Sequence, residues 1–539
     1  MDAFDGALVL QRAVHAWRLH PGPGPAHLSL SCAQAPSAAD LDALTHSPPP
    51  VLDGGAIDEP ADWPAAWRHL AHSLAASAWG LLPGRHRLRL NAGPAHGQPA
   101  PGACATQPQV LLDLSIGGAE STEVAAELNV VPVPRDASVV VIGSGLAGAA
   151  CARALAERGY AVQVLDAGPA PAAGASGLPV GLVAPHSSPD DSLMSRLSRA
   201  GVRAMRDALQ QHVRAGVDWG DSGVQERRLP GKTRKGGPPP IWAQRWPQAG
   251  ASWTCIAPPA PDDAHDTTAW WHAKGAWVRP GALVRALLAH PRIRWQGATT
   301  VCGVSPGAAQ TAPKSTAAAR WQIHTEGGDT LEADQVVLAC GPHTVHLLRS
   351  FALDAANIPM QALRGQLSWG LMADAFGASA TAPTHWPATP VNGNGSFVHS
   401  IDTPEGPAWF AGSTFDRTRN EAVWLDDDHR ENFNRLQSLL PAVAQDLRPL
   451  FDTATVRAWA GVRCSVPDRL PMVGRVPGAP AGLWLCSALG SRGLTLAVLC
   501  SEVLAAQWTG EPPPLEAPLL RALSSERFAA RRGLTQAGA

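Results

Sequence analysis

The sharpest hydrophobic pattern in the chain lies just after Ser138, where Val139-Val140-Val141-Ile142 runs apolar without a break. A half-buried strand would show a polar residue at every second position. An unbroken run predicts a strand covered on both faces, as in a parallel sheet. It passes directly into Gly143-Ser144-Gly145-Leu146-Ala147-Gly148. The Ala-rich stretch 149–158 then predicts a helix ended by Gly159, and 160–165 predicts a second strand closed by Asp166. Further on, 277–288 reads as strand then helix, 335–341 and 483–489 as buried strands, and 494–507 as a closing helix. Between these, 346–455 alternates enough to predict an antiparallel sheet, while the Pro- and Trp-rich stretch 216–274 predicts irregular loops and strands.

Upstream of Ala137 the pattern is weaker. Short helical and strand-like stretches are joined by Pro-rich connectors, and Val131-Pro132-Val133-Pro134 predicts an extended linker, since Pro blocks both helix and ladder. The expected organisation is therefore an N-terminal part over 1–130, a linker over 131–136 and a larger unit over 137–539.

Composition narrows the picture. At 539 residues the chain is too long for one ordinary core. Its 45% hydrophobic and 16% charged residues fit a globular protein, and a net charge of -2 supplies no overall attraction to nucleic acid or an anionic membrane. The nine cysteines show no CxxC pair and no His spacing suited to zinc, so no metal is expected. No apolar run reaches the roughly 18 residues of a membrane span, and Met1-Asp2-Ala3-Phe4-Asp5 lacks the basic start of a secretory signal. A cytoplasmic setting is expected.

The glycine segment carries the first chemistry. Gly143 permits a tight turn, Gly145 lets backbone amides approach a pyrophosphate, and Gly148 lets helix and strand pack closely. The helix start offers free N–H groups and the positive end of its dipole to phosphates. Asp166, 23 residues after Gly143, is placed to accept hydrogen bonds from a ribose. Gly174-Ala175-Ser176-Gly177 follows the second strand and lets backbone approach a flat ring. Gly490-Ser491-Arg492-Gly493 opens the last helix, another N-terminus able to stabilise negative charge on a reduced flavin. Together these segments favour FAD over NAD.

With those residues in place, the chain resembles the FAD-dependent amine oxidases related to glycine oxidase and D-amino acid oxidase. More closely, residues 137 to about 533 resemble the oxidoreductase half of the bifunctional MnmC family of tRNA-modifying proteins. The likeness runs through Trp277-Val278-Arg279-Pro280, Leu363-Arg364-Gly365-Gln366 and Gly412-Ser413-Thr414-Phe415. It continues through Gly461-Val462-Arg463-Cys464 and Asp468 to Gly474, and ends at Leu489 to Leu494. It implies an α/β fold: an FAD-binding Rossmann-like domain (about 137–215, 275–345 and 456–515) with an inserted antiparallel-sheet substrate domain (about 216–274 and 346–455). It also implies oxidation of a carboxymethylamino group on the wobble uridine of tRNA, leaving the aminomethyl nucleoside. The arginine of the Gly-Val-Arg segment, which holds a substrate carboxylate in glycine-oxidase-like relatives, carries over to Arg463, and Arg364 is a second candidate. With Tyr160 as the single tyrosine, a tyrosine acid at the site is not expected.

In the same family a methyltransferase precedes the oxidase. Leu81 to Leu88 and Val110 to Leu114 resemble its middle, but no complete glycine-rich loop precedes them and no Asp-Gly-Phe-Ala-Pro-like segment follows. The resemblance thus implies a degenerate α/β methyltransferase-like fragment over 1–130. For RNA, the densest basic run holds Arg227, Arg228, Lys232, Arg234 and Lys235, with Trp242, Trp246 and Trp253 nearby as stacking faces. Arg521, Arg527, Arg531 and Arg532 are further candidate phosphate contacts. On sequence alone such a run is more often a solvated loop. Two other functions fit the same residues: a free glycine, sarcosine or D-amino acid oxidase, and a non-catalytic module that binds FAD and RNA.

Overall fold

The computed structural model describes residues 130–227, 253–256, 269–307, 320–349, 358–377 and 381–529. In the N-terminal part it describes residue 9, 26–32, 36, 38–46, 63–79, 81–82, 84–91 and 109–116. A six-stranded sheet organises the larger unit. Its strands run Ile293–Gln296, Val162–Leu165, Val139–Ile142, Gln335–Leu338, Leu483–Ser487 and Met472–Arg475 in spatial order. The first five are parallel and the last is antiparallel to its neighbour. Alternate side chains of the apolar run go to opposite faces. Val139 and Val141 pack with the helices Leu146–Glu157, Pro280–Leu288 and Gly493–Thr509, and Val140 and Ile142 pack against the small sheet of Val301–Pro306, Trp321–Thr325 and Thr330–Ala333. Both faces are covered, which is why no polar residue interrupts the run.

A second sheet has eight strands, in the order Arg457–Ser465, Gln361–Leu371, Gly406–Gly412, Gly395–Thr403, Val391–Gly393, Val224–Arg227, Ala269–His272 and Cys255–Ile256. All its pairings are antiparallel except Val391–Gly393 with Val224–Arg227. One face carries Trp409 and Ala411 against the helices Asp426–Leu439 and Pro441–Asp452. The other carries Leu367, Ala408 and Phe410 toward Val180, so it leans on the segment that follows Gly174–Gly177.

Two sequence expectations change here. The stretch 346–455 carries strands only as far as Gly412, with the short helix Met372–Phe376 among them, and then turns helical; Asp426, Asp427 and Asp428 fill the first turn of one helix, where their charges complement its dipole. The strand Arg457–Ser465, grouped by sequence with the FAD-binding parts, pairs along its length with Gln361–Leu371 in the eight-stranded sheet. Nor does the stretch 131–136 hang free. The Val131 and Val133 amides donate to the carbonyls of Gln507 and Trp508, and the Tyr160 hydroxyl donates to the Val133 carbonyl at 2.8 Å.

The N-terminal part forms a three-stranded sheet, Ala26–Cys32, Gln109–Ile116 and Gly84–Asn91, with the helices Ala38–His46 and Trp63–Ser77. Among the described residues no helix is long and apolar enough to cross a membrane.

Candidate active site

The glycine loop has the geometry its residues suggest. Gly143 sits at φ +105°, and a Cβ there would stand 2.7 Å from the Ala339 carbonyl oxygen. A Cβ on Gly148 would stand 1.8 Å from the Gly143 oxygen, so only hydrogen fits between loop and helix. Gly145 is the cap of the helix Leu146–Glu157 and supplies no side-chain hydrogen bond. Asp166 closes the second strand: one carboxylate oxygen accepts from the Ser144 hydroxyl at 2.8 Å and the other from the Gly168 amide at 2.7 Å.

The segment Gly174–Gly177 folds back against this loop. Ala175–Gly177 forms a short 3-10 turn, and the Ser176 hydroxyl accepts from the Leu146 amide at 2.9 Å. At Gly174, by contrast, a Cβ would meet no described atom within 4 Å. Gly490–Arg492 forms another 3-10 turn leading into the helix Gly493–Thr509, whose first turn has no side-chain cap. A Cβ on Gly493 would lie 3.4 Å from the Leu146 side chain, so this turn reaches the glycine loop as well. Burial, with Arg469 close by, holds the pKa of Arg492 below its ordinary value.

The strand Arg457–Ser465 joins these pieces. A Cβ on Gly461 would lie 3.3 Å from the Ala175 Cα, and one on Gly490 would lie 3.8 Å from the Ser465 Cβ. Arg463 therefore stands on a strand that touches both turns expected to face the flavin. Its guanidinium donates to the Thr414 carbonyl at 3.0 Å and lies 4.6 Å from the centre of the Phe415 ring. Arg435 approaches the same ring at 5.4 Å, and Phe415 remains 49% exposed, which leaves the ring open to a third party. Among the described residues no carboxylate comes within 4 Å of Arg463. Burial, and then Arg435, lower its pKa to about 10. A desolvated cation without a counter-ion is a receptor for a carboxylate.

Arg364 stands apart from this receptor. In the register, Leu363 opposes Arg463 and Arg364 opposes Val462, so the two-residue alternation sends the two arginines to opposite faces. Arg364 is fully buried; it donates to Asp428 at 2.5 Å, to Gln366 at 3.0 Å and to the Val423 carbonyl. Its donors are taken by the helix Asp426–Leu439 and its approach. The neighbour that matters is Gly365, missed by sequence reasoning: a Cβ there would lie 2.0 Å from the Arg463 guanidinium. The glycine makes the room that Arg463 occupies. Phe415 is likewise beyond sequence reasoning, since nothing in sequence marks an aromatic ring lying under two arginines.

The RNA candidates scatter. Arg228, Lys232, Arg234, Lys235, Trp242, Trp246, Arg531 and Arg532 lie outside the described residues. Arg227 is buried in its strand and donates to the Leu439 carbonyl, so it does not offer its charge to a polyanion. Trp253 is buried against Trp79 and presents no stacking face. Arg527 is buried in an ion pair with Asp468 at 3.0 Å. Sequence shows a charged residue's neighbours along the chain, and each of these partners comes from elsewhere.

These surfaces fit FAD. The glycine loop and Asp166 would hold the pyrophosphate and ribose, Gly174–Gly177 and Gly490–Gly493 the ring. The open side of Gly174 is a space that the described residues leave unfilled. Gly148→Ala is expected to lower both the melting temperature of the flavin-free protein and its FAD content. Gly174→Ala is expected to lower FAD content alone. Melting curves and visible absorbance after gel filtration separate the two, and equal melting losses would remove Gly174 from the cofactor wall.

The family model described as FAD dependent oxidoreductase matches residues 138–507. A tRNA 5-methylaminomethyl-2-thiouridine biosynthesis bifunctional protein MnmC from Paracidovorax citrulli (strain AAC00-1) is 48% identical over 406 residues, 73% of this chain and 61% of the relative. The protein of the same name from Polaromonas naphthalenivorans (strain CJ2) is 41% identical, over 70% of this chain and 58% of its own length. The chain thus spans about three fifths of the length of these relatives. Among solved structures, L-proline dehydrogenase from P. horikoshii has a TM-score of 0.56 at 16% identity, covering 74% of this chain and 99% of its own. Glycine oxidase from Bacillus cereus ATCC 14579 has 0.52 at 17%, covering 72% and 98%. At those identities the likeness is one of fold.

Proposed function

The chain belongs to the FAD dependent oxidoreductase family, and we propose that it oxidises the carboxymethylamino group of 5-carboxymethylaminomethyl(-2-thio)uridine at the wobble position of tRNA, in the cytoplasm, leaving the aminomethyl nucleoside. The name carried by its MnmC relatives supports tRNA as the substrate. The observation that carries the reading is Arg463, a half-buried guanidinium with no carboxylate within 4 Å among the described residues, on the strand that touches both flavin-directed turns.

FAD, when bound, supplies a two-electron acceptor for hydride from the carbon beside nitrogen; water then cleaves the resulting imine and releases the two-carbon oxo acid. The chain's own residues do the positioning. Arg463 grips the terminal carboxylate of the substrate with two donors and so fixes the carbon to be oxidised relative to Gly174–Gly177. Gly365 keeps that guanidinium in place, and the exposed Phe415 ring offers a face to the group that enters. The eight-stranded sheet with its two helices forms the substrate domain, and residues 1–130 a degenerate methyltransferase-like fragment. The basic run through 228–235 contacts the tRNA.

Anaerobic bleaching of the yellow protein tests this. Reduction of the visible flavin bands is expected with tRNA bearing the carboxymethylamino base and not with glycine or sarcosine. Bleaching by the free amino acids alone would make the protein a metabolic oxidase. Failure of all three would leave an FAD-binding module without this activity.

A further inference from the structure

Away from that site, a partly open cavity lies where the N-terminal sheet meets the helices Leu146–Glu157, Leu193–His212 and Gly493–Thr509. No residue of the flavin and carboxylate surfaces lines it. Leu82, Leu111 and Leu499 are among the residues that give it apolar walls, and seven arginines also line it. Three of the seven come from one strand: in Gly84–Asn91 the period of two sets Arg85, Arg87 and Arg89 along one face. The others project from two of the helices.

Five of these arginines stand within 4 Å of a carboxylate, for example Arg87 with Asp113 at 2.9 Å and Arg199 with Asp191 at 2.7 Å. Among the described residues Arg85 and Arg203 have none. The Arg85 Nε is buried without a hydrogen-bond partner. Arg203 is buried, donates to the carbonyls of Ser77 and Trp79, and lies 4.2 Å over the Trp79 ring. Burial lowers the pKa of both, that of Arg203 to about 10. Asp207 attracts Arg203 from beyond ion-pair distance and is itself pushed up to about 6 by burial. Two cations are thus held in a recess at a desolvation cost that no described neighbour offsets in full.

We propose that this interface cavity is a binding site for an amphipathic organic anion, whose phosphate or carboxylate head group is held between Arg85 and Arg203 and whose apolar body lies against Leu82, Leu111 and Leu499. A guanidinium fork matches either head group. The apolar body adds affinity in proportion to the area it buries. The site links the N-terminal part to the flavin domain, since Arg85 comes from one and Arg203 from the other.

Titration calorimetry on the full-length, FAD-loaded protein tests this with octyl phosphate and octanoate. Saturable binding of at least one is expected, and the tighter of the two identifies the head group. Arg85→Gln is expected to weaken it by about tenfold or more, as for loss of a charged hydrogen bond, with the flavin spectrum unchanged. Arg85→Lys, which keeps the charge and loses the fork, is expected to fall between. The proposal is overturned if neither anion binds, if octyltrimethylammonium binds as well as the anions, or if Arg85→Gln and wild type bind alike.

Discussion

Replacing Arg463 by Met is expected to lower kcat/KM for the modified tRNA by roughly 30- to 5000-fold, while the protein melts at the same temperature as wild type or higher. The first half follows from what a charge pair enclosed on binding contributes, about 2 to 5 kcal/mol when one partner is removed, with each 1.36 kcal/mol worth about tenfold in rate. The second half follows from its surroundings. In the unliganded protein Arg463 is a desolvated cation beside Arg435, with its pKa pulled down to about 10 and a backbone carbonyl as its nearest acceptor. Removing such a charge relieves a burden, and a hydrophobic side chain of similar volume is commonly neutral or stabilising. Arg364→Met should behave in the opposite way, because it strands Asp428 in the core without its partner; about 3 to 5 kcal/mol of stability goes with it. FAD content should survive Arg463→Met, since Arg463 itself belongs to neither flavin-directed turn. A variant that melts several degrees lower yet turns over normally would show that Arg463 is a structural ion and would remove the basis for the substrate reading.

The contrast between the two arginines marks what was legible in the sequence. Val139 to Ile142 could be read as a doubly covered strand because its whole signal is local, and the same holds for Gly143 to Gly148, where each glycine answers a neighbour a few residues away. Arg364 and Arg463 look alike in sequence, each within two residues of a glycine in a family-like segment. What separates them is register: with Leu363 opposite Arg463, the pleat assigns them to different faces, and pairing across 100 residues leaves no trace in either segment alone. The helices after Gly412 were hidden for a related reason. Asp426, Asp427 and Asp428 are a helix-start signal, but they follow a run of strands, and nothing local marks Gly412 as the end of the last one. The scattered RNA candidates show the same limit, since Arg227 and Arg527 are basic residues spent on internal partners that only the fold supplies.

The partnership least visible in sequence is the one around Glu502, and its removal should loosen the N-terminal part from the flavin domain. Glu502 lies in the buried helix Gly493–Thr509 and accepts from Arg158 at 2.9 Å and from Arg87, on the N-terminal strand Gly84–Asn91, at 3.1 Å; Arg89 stands 3.8 Å away. Arg158 also pairs with Glu511 at 2.6 Å, and Arg87 with Asp113. Burial alone would raise the pKa of Glu502, but these arginines hold it far below the usual carboxylate range. The charges of Glu502 and Glu511 outweigh burial in turn and raise the pKa of Arg158 above its ordinary value. Glu502→Ala leaves three guanidiniums facing one another around an empty place, and the expected loss is about 3 to 5 kcal/mol. It falls mainly on the docking of the N-terminal sheet, because Arg87 and Arg89 approach from that side. Amide exchange along Gly84–Asn91 should therefore quicken more than along Val139–Ile142, which opens only with the whole flavin domain. The pH dependence has a definite sign. A carboxylate whose pKa is lower in the folded protein contributes stability that is full above the unfolded value, about 4.3, and lost as pH falls through the folded value. Wild type should thus lose protection of Gly84–Asn91 as the pH drops below about 4.5, and Glu502→Gln should show a shallower acid dependence from a lower starting point. Equal exchange in wild type and Glu502→Ala would mean that the arginines find other counter-ions, and that the N-terminal part is held by its apolar contacts alone.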